Sequence, residues 1–233
     1  MRVEPPLDES PDLVGVSASV RRSLLLPRPR LRGVMHRVAV PPTVVAGIWL
    51  VARAPAGADR LGAAIFAFGA LFMFVASGIV HLRRWSVPVF EALFRLDHVA
   101  IFLLIATSAT PVGISVLSGR SATFLLWAVW IGAAIGVSLR LLPFHPPKGL
   151  MNSLFLGLGW VPVMVAPDLF RALEPVTILL VVVQGVLYSG GALMLGAQWP
   201  DLSPRFFGYH EVWHTFVTAA VAAHFVLVAI VVV

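Results

Sequence analysis

His210 and His214 lie one helical turn apart in a chain that has seven histidines and no cysteine. At that i,i+4 spacing both rings project from one face of a helix, and neutral imidazole is a ready ligand for zinc. With no thiolate present, any soft-metal chemistry falls to histidine. A third histidine, His81, ends an apolar stretch, with Ser77 one turn before it. Asp97 opens the next apolar stretch. Three histidines with a nearby carboxylate make a plausible zinc site, and a catalytic zinc takes three protein ligands and leaves a position for water. Each residue also has a structural alternative. His81, His210 and His214 could be interfacial or helix-end residues, Asp97 could cap a helix, and Ser77 could bond its own helix backbone.

The elements that would carry these groups are membrane spans. Of 233 residues, 59% are hydrophobic and 12% charged, and the mean hydropathy is +0.92. A soluble domain is typically about 45–50% apolar and about 25% charged. Several runs are long enough to cross a hydrocarbon core, which takes roughly 20 residues. They predict spans at 37–54, 62–82, 96–117, 121–142, 149–167, 175–196 and 208–232. The first is interrupted by Pro41-Pro42, and Pro111 and Pro162 fall inside later spans, where neighbouring helices can tolerate them. The expected architecture is an all-α, seven-transmembrane helical bundle over residues 33–233, preceded by a flexible, basic cytoplasmic tail over residues 1–32. Within that tail, Arg21-Arg22 is followed by only three leucines before Pro27, too short for the apolar region of a signal peptide.

Charge orients the bundle. Arg2, Arg21, Arg22, Arg28, Arg30, Arg32 and Arg37 precede or open the first span. Arg83, Arg84, Arg95, Arg140, Lys148 and Arg205 fall on the same side, so that side holds thirteen of the 17 Lys and Arg residues. Positive loops face the cytoplasm, which puts the N-terminus inside and, with seven spans, the C-terminus outside. The basic excess is therefore read as orienting charge, not as a nucleic-acid surface. In this topology His81 ends span two, while Asp97, His210 and His214 begin spans three and seven at the same cytoplasmic boundary. Ser77 joins them, and all five reach one depth. Ionisable groups in spans normally face the bundle interior or a water-filled cavity.

The chain resembles the hemolysin III branch of the progestin and adiponectin-Q receptor family. The matching text is Arg32-Gly33-Val34-Met35-His36, SGIVH (77–81), LDHVAIFLLIATSATP (96–111) and FFGYHEVWHTF (206–216). Span three reads TSATP where many relatives carry a Gly and a Tyr. The resemblance implies a seven-helix protein of the bacterial cytoplasmic (plasma) membrane, with zinc held near the cytoplasmic face by His81, His210 and His214. It places Asp97 and Ser77 beside the water that zinc activates. The family also resembles alkaline ceramidases in its Ser, Asp and three-His pattern, which implies hydrolysis of a lipid amide or ester. Asp97 would then take the proton from water, and Ser77 would donate a hydrogen bond to the water or the developing oxyanion. The expected partners are membrane lipid and a lipid amide entering sideways from the bilayer. No lytic peptide is evident.

Two rival readings remain. HEVWH (210–214) satisfies HExxH, in which Glu211 would be the base of an intramembrane protease; as the last acidic residue it leaves no downstream acidic ligand, and it is expected to be an exposed first-turn residue. The metal could instead be structural, in a receptor-like or pore-forming protein with no enzymatic activity. Among the other histidines, His224 is expected to be hydrogen-bonded between helices, His98 to pack against a neighbour, and His145 to be a solvated loop residue. His36 shares the cytoplasmic side and has no assigned role.

Overall fold

The computed structural model describes residues 28–142, 147 and 149–233. The expectations for His145, Lys148 and residues 1–27 of the basic tail fall outside them. The described residues are helical, with a single isolated β-bridge between Ser203 and Phe207. In chain order the helices are α1 Val34–Arg53, α2 Ala58–Val80, α3 Val87–Ser115, α4 Gly119–Leu141, α5 Leu150–Gly159, α6 Ala166–Ala172, α7 Pro175–Ala197 and α8 Tyr209–Val232. A 3₁₀ turn at Val161–Val165 joins α5 to α6.

Among the described residues, six segments are long and apolar enough to cross a membrane: α1, α2, α4, the broken Leu150–Ala172 unit, α7 and α8. The remaining helix, α3, is the longest and carries Glu91, Arg95 and Asp97 in its N-terminal half. Large apolar side chains such as Trp49, Trp127, Ile135, Leu179 and Val186 are exposed on these helices. So much exposed apolar surface is incompatible with water and suits lipid tails, making this an integral membrane protein.

Two of the expected boundaries move for identifiable reasons. Span three was expected from residue 96, but α3 starts at Val87, behind Ser86 as N-cap and with Pro88 in its first turn, a favoured place for proline. Asp97 therefore lies well inside the helix and cannot be its cap. Span five does not run straight through Pro162. That residue lacks the N–H an α-helix needs and crowds the preceding turn, so the backbone tightens into the 3₁₀ turn. By contrast, α1 continues as one helix through Pro41 and Pro42.

The bundle is centred on α2 and α3, which pack together most extensively, and α8 closes it by touching α1, α2 and α3 as well as α7. Small residues permit the close approach. A Cβ on Gly69 of α2 would overlap Thr107 of α3, and one on Gly136 of α4 would overlap the Phe102 ring. At the end of the bundle where α2 finishes and α8 begins, the chain entering α1 folds over the helix termini. Arg30 and Leu31 donate backbone hydrogen bonds to the Arg205 and Phe206 carbonyls at 3.0 and 3.1 Å. Gly33 turns the chain into α1 with φ 70°.

Candidate metal centre

His81 is the C-cap residue of α2, which places its ring at the helix end. His210 and His214 occupy the first two turns of α8. One nitrogen from each ring can be chosen so that all three lie within 4.8 Å of one another. His210 Nε2 and His81 Nε2 are 3.1 Å apart. Zn–N bonds of about 2.0–2.1 Å in a tetrahedron set ligand nitrogens roughly 3.3–3.4 Å apart, so this pair is already near metal-binding separation. His81 and His214 are buried and His210 half-buried. His214 Nδ1 is buried with no hydrogen-bond partner, a demand that a cation or ordered water in the site would meet. The three histidines could hold a metal ion, and their all-nitrogen donor set fits a borderline-soft divalent cation.

Ser77 and Asp97 are buried beside the triad. Ser77, one turn before His81, is the side-chain hydrogen-bond neighbour of Asp97, and the Arg140 charge of α4 acts on that carboxylate. The triad, Ser77 and Asp97 line one cavity of about 480 Å³, so the structure brings all five sequence-predicted residues together.

Glu211 is placed differently from expectation. It was expected to be exposed, but is fully buried. Its Oε1 pairs with Arg32 Nε at 2.6 Å, and its Oε2 accepts the Gly208 backbone N–H at 2.9 Å, closing a capping box at the start of α8. The cause is the returning chain: residues 28–32 lie over the α8 N-terminus and carry Arg32 to it. Arg28 and Arg37 both donate to the His81 carbonyl at the negative end of α2. Burial, and then the charges of Arg32, Arg37 and Arg84, hold the Arg28 guanidinium below its ordinary pKa.

Sequence reasoning missed the part played by His36. Its ring stacks on His214 with centroids 3.8 Å apart and planes 8° from parallel, and it meets Phe74 edge-on. Both of its ring nitrogens are buried without hydrogen-bond partners. Its place at the start of α1 gave its depth, but nothing in the local pattern gave the face it presents. Arg140, read as orienting loop charge, is instead 3% exposed on the cavity wall. The other two described histidines behave as expected. His98 Nδ1–H donates to the Phe94 carbonyl and the ring packs on Phe155. His224 bridges the Ser108 carbonyl of α3 and Gln184 of α7.

A helical bundle with a buried three-histidine cluster at one end of its spans defines a polytopic membrane protein with a candidate metal site. The model of the family described as "Haemolysin-III related" matches residues 25–225, and the chain belongs to that family. It is 28% identical to "Hemolysin-3 homolog" of Bacillus subtilis (strain 168) over 171 residues, 72% of this chain and 75% of the relative. It is 30% identical to "Hemolysin-3" of Bacillus cereus over 139 residues, 59% and 61% of the two chains. It is also similar to the human "Monocyte to macrophage differentiation factor", 23% identical over 197 residues, covering 82% of this chain and 78% of the relative.

Proposed function

We propose that this chain is a zinc-dependent hydrolase of a lipid amide or ester. It would cross the cytoplasmic membrane seven times, with α3 as the additional crossing, its N-terminus inside and its C-terminus outside. The observation that carries the proposal is the convergence of His81, His210 and His214 with Asp97 and Ser77 on one buried cavity. Three other facts support it. The histidines come from two helices and leave room for further ligands. The carboxylate stands beside the triad but not within it. The surrounding helices expose large apolar side chains, as lipid contact requires.

His81, His210 and His214 would hold the zinc, which when bound lowers the pKa of water and polarises a carbonyl oxygen. Asp97 would orient the attacking water and accept its proton as the C–O bond forms at the lipid carbonyl. Ser77 would donate a hydrogen bond to the carbonyl oxygen as charge develops there. Asp97 would then return the proton to the departing amine or alcohol as the C–N or C–O bond breaks, so water is consumed and a carboxylic acid released. The apolar lower wall, with Met73, Trp213 and Val217, suits an acyl chain entering sideways between helices. Glu211 is a poor candidate for a zincin base, because both of its oxygens are engaged by Arg32 and the Gly208 N–H.

A screen of the purified, zinc-loaded protein against ceramides and N-acyl amides tests the proposal, with free fatty acid as the readout. Release of fatty acid that Asp97→Asn abolishes supports it. A metal-loaded, folded protein that cleaves no lipid amide or ester would favour a structural metal in a non-enzymatic protein, including the lytic role that the names of two relatives denote.

A further inference from the structure

Arg140 is the most deeply buried arginine of the cavity wall, and the Glu91 and Asp97 carboxylates act on its charge only through space. Its Nε is buried without a hydrogen-bond partner, and it forms no ion pair with any carboxylate among the described residues. Glu91 on α3 is paired with Arg95 at 2.8 Å. Arg95 in turn donates to the Leu142 and Arg140 carbonyls at the end of α4. The Arg140 guanidinium stands 5.5 Å from the Phe94 ring centroid, a weak contact for a charge removed from water. A buried cation normally has a partner, and this one faces a cavity.

The remaining charge of the cavity has the same sign. Its wall includes Arg28, Arg32, Arg83 and Arg84 as well as Arg140, against Asp97 as the one acidic side chain among the described residues. Arg28 is committed to the His81 carbonyl and Arg32 to Glu211. Arg83 and Arg84 are exposed, with Arg83 lying on the Trp85 ring at 4.1 Å. A cleft lined by one sign of charge concentrates ligands of the other, and guanidinium matches the two oxygens of a phosphate or carboxylate.

We propose that Arg140, on a cavity wall that also carries Arg83 and Arg84, forms a headgroup subsite that selects an amphiphile whose phosphate keeps a net negative charge, with no cation in the headgroup to offset it. The acyl chain would lie along the apolar wall, and the phosphate would complete the hydrogen bonding of Arg140. This deepens the hydrolase reading and rests on it only in taking the cavity as the substrate's place. Binding is measured without turnover, so a failed hydrolysis screen and a failed headgroup preference are separate results.

The test is calorimetric titration of the full chain, purified in a neutral detergent, with three probes: short-chain phosphatidylglycerol, phosphatidylcholine of the same acyl length, and sodium phosphate. The expected result is that phosphatidylglycerol binds at least about tenfold more tightly than phosphatidylcholine. Arg140→Gln should weaken phosphatidylglycerol binding by about tenfold, the loss that goes with one hydrogen bond to a charged group, and bring the two lipids close to equal affinity, while Arg140→Lys should restore part of the preference. Equal affinity for the two lipids, or an unchanged preference in folded Arg140→Gln, would overturn the proposal. Sodium phosphate binding as tightly as phosphatidylglycerol would overturn its lipid part and assign a free-anion site. The wild-type comparison decides the matter even where Arg140→Gln does not fold.

Discussion

Arg32 seals Glu211 at the start of α8: the two side chains meet at 2.6 Å, with Glu211 only 1% exposed. The pair fastens the chain entering α1 to the helix that carries His210 and His214. It also takes the glutamate of the HEVWH sequence out of reach as a free base.

Glu211→Gln should therefore act on stability more than on metal content. Breaking a buried pair from one side typically costs about 3–5 kcal/mol, because the other charge is left uncompensated. The double variant Arg32→Met/Glu211→Gln should recover part of that loss. Thermal unfolding in detergent checks the stability, and metal analysis of the folded fraction should find occupancy near wild type. Loss of metal from a Glu211→Gln protein as stable as wild type would contradict this role.

Gly33 is a second fastening point. Its φ of 70° favours glycine, and an added Cβ would come within 2.4 Å of the His81 Cβ. Gly33→Ala should cost about 1–3 kcal/mol in backbone strain alone, and should displace His81 as well. The expected outcome is weakened metal affinity together with a lower unfolding temperature. Gly57→Ala, also at positive φ but with open space around it, should leave metal affinity unchanged. Competition with a chelator separates the two.

Much of this site was legible because helical spacing and membrane topology are strong constraints. The i,i+4 spacing put His210 and His214 on one face, and the run lengths with their alternating direction brought His81, Ser77 and Asp97 to the same end. Asp97 kept its depth although α3 begins earlier than expected, since a longer helix changes the cap and leaves the register unchanged. The features that escaped depend on which side of a helix faces inward and on contacts between distant segments. The stacking of His36 on His214 requires the rotation of α1, which the two prolines and a nearly uniform apolar sequence do not reveal. The burial of Glu211 requires the return of residues 28–32 across α8. Charge counting assigned Arg140 to a membrane face and could not show that it points into the bundle.

Asp97 is the residue at which the proposed metal binding and the proposed catalysis can be told apart. If it serves water and not the metal, Asp97→Asn should keep occupancy near wild type at saturating zinc while hydrolysis falls by about 10²–10⁴, the usual worth of a general base. Ser77→Ala should reduce the rate by a smaller factor and also leave the metal in place. Fatty-acid release and metal content measured on the same preparations check both. Asp97→Asn with full activity would remove it from the chemistry.

The central claim, that His81, His210 and His214 form one metal site, is tested most directly by elemental analysis of the protein purified without chelator. Wild type should carry about one zinc per chain, since three ligands from one cluster make one site. His81→Ala, His210→Ala and His214→Ala should each lose most of it, along with the stability that bound metal adds. Wild-type protein free of zinc and of any other transition metal, or a His81→Ala variant that keeps full occupancy, would contradict the account.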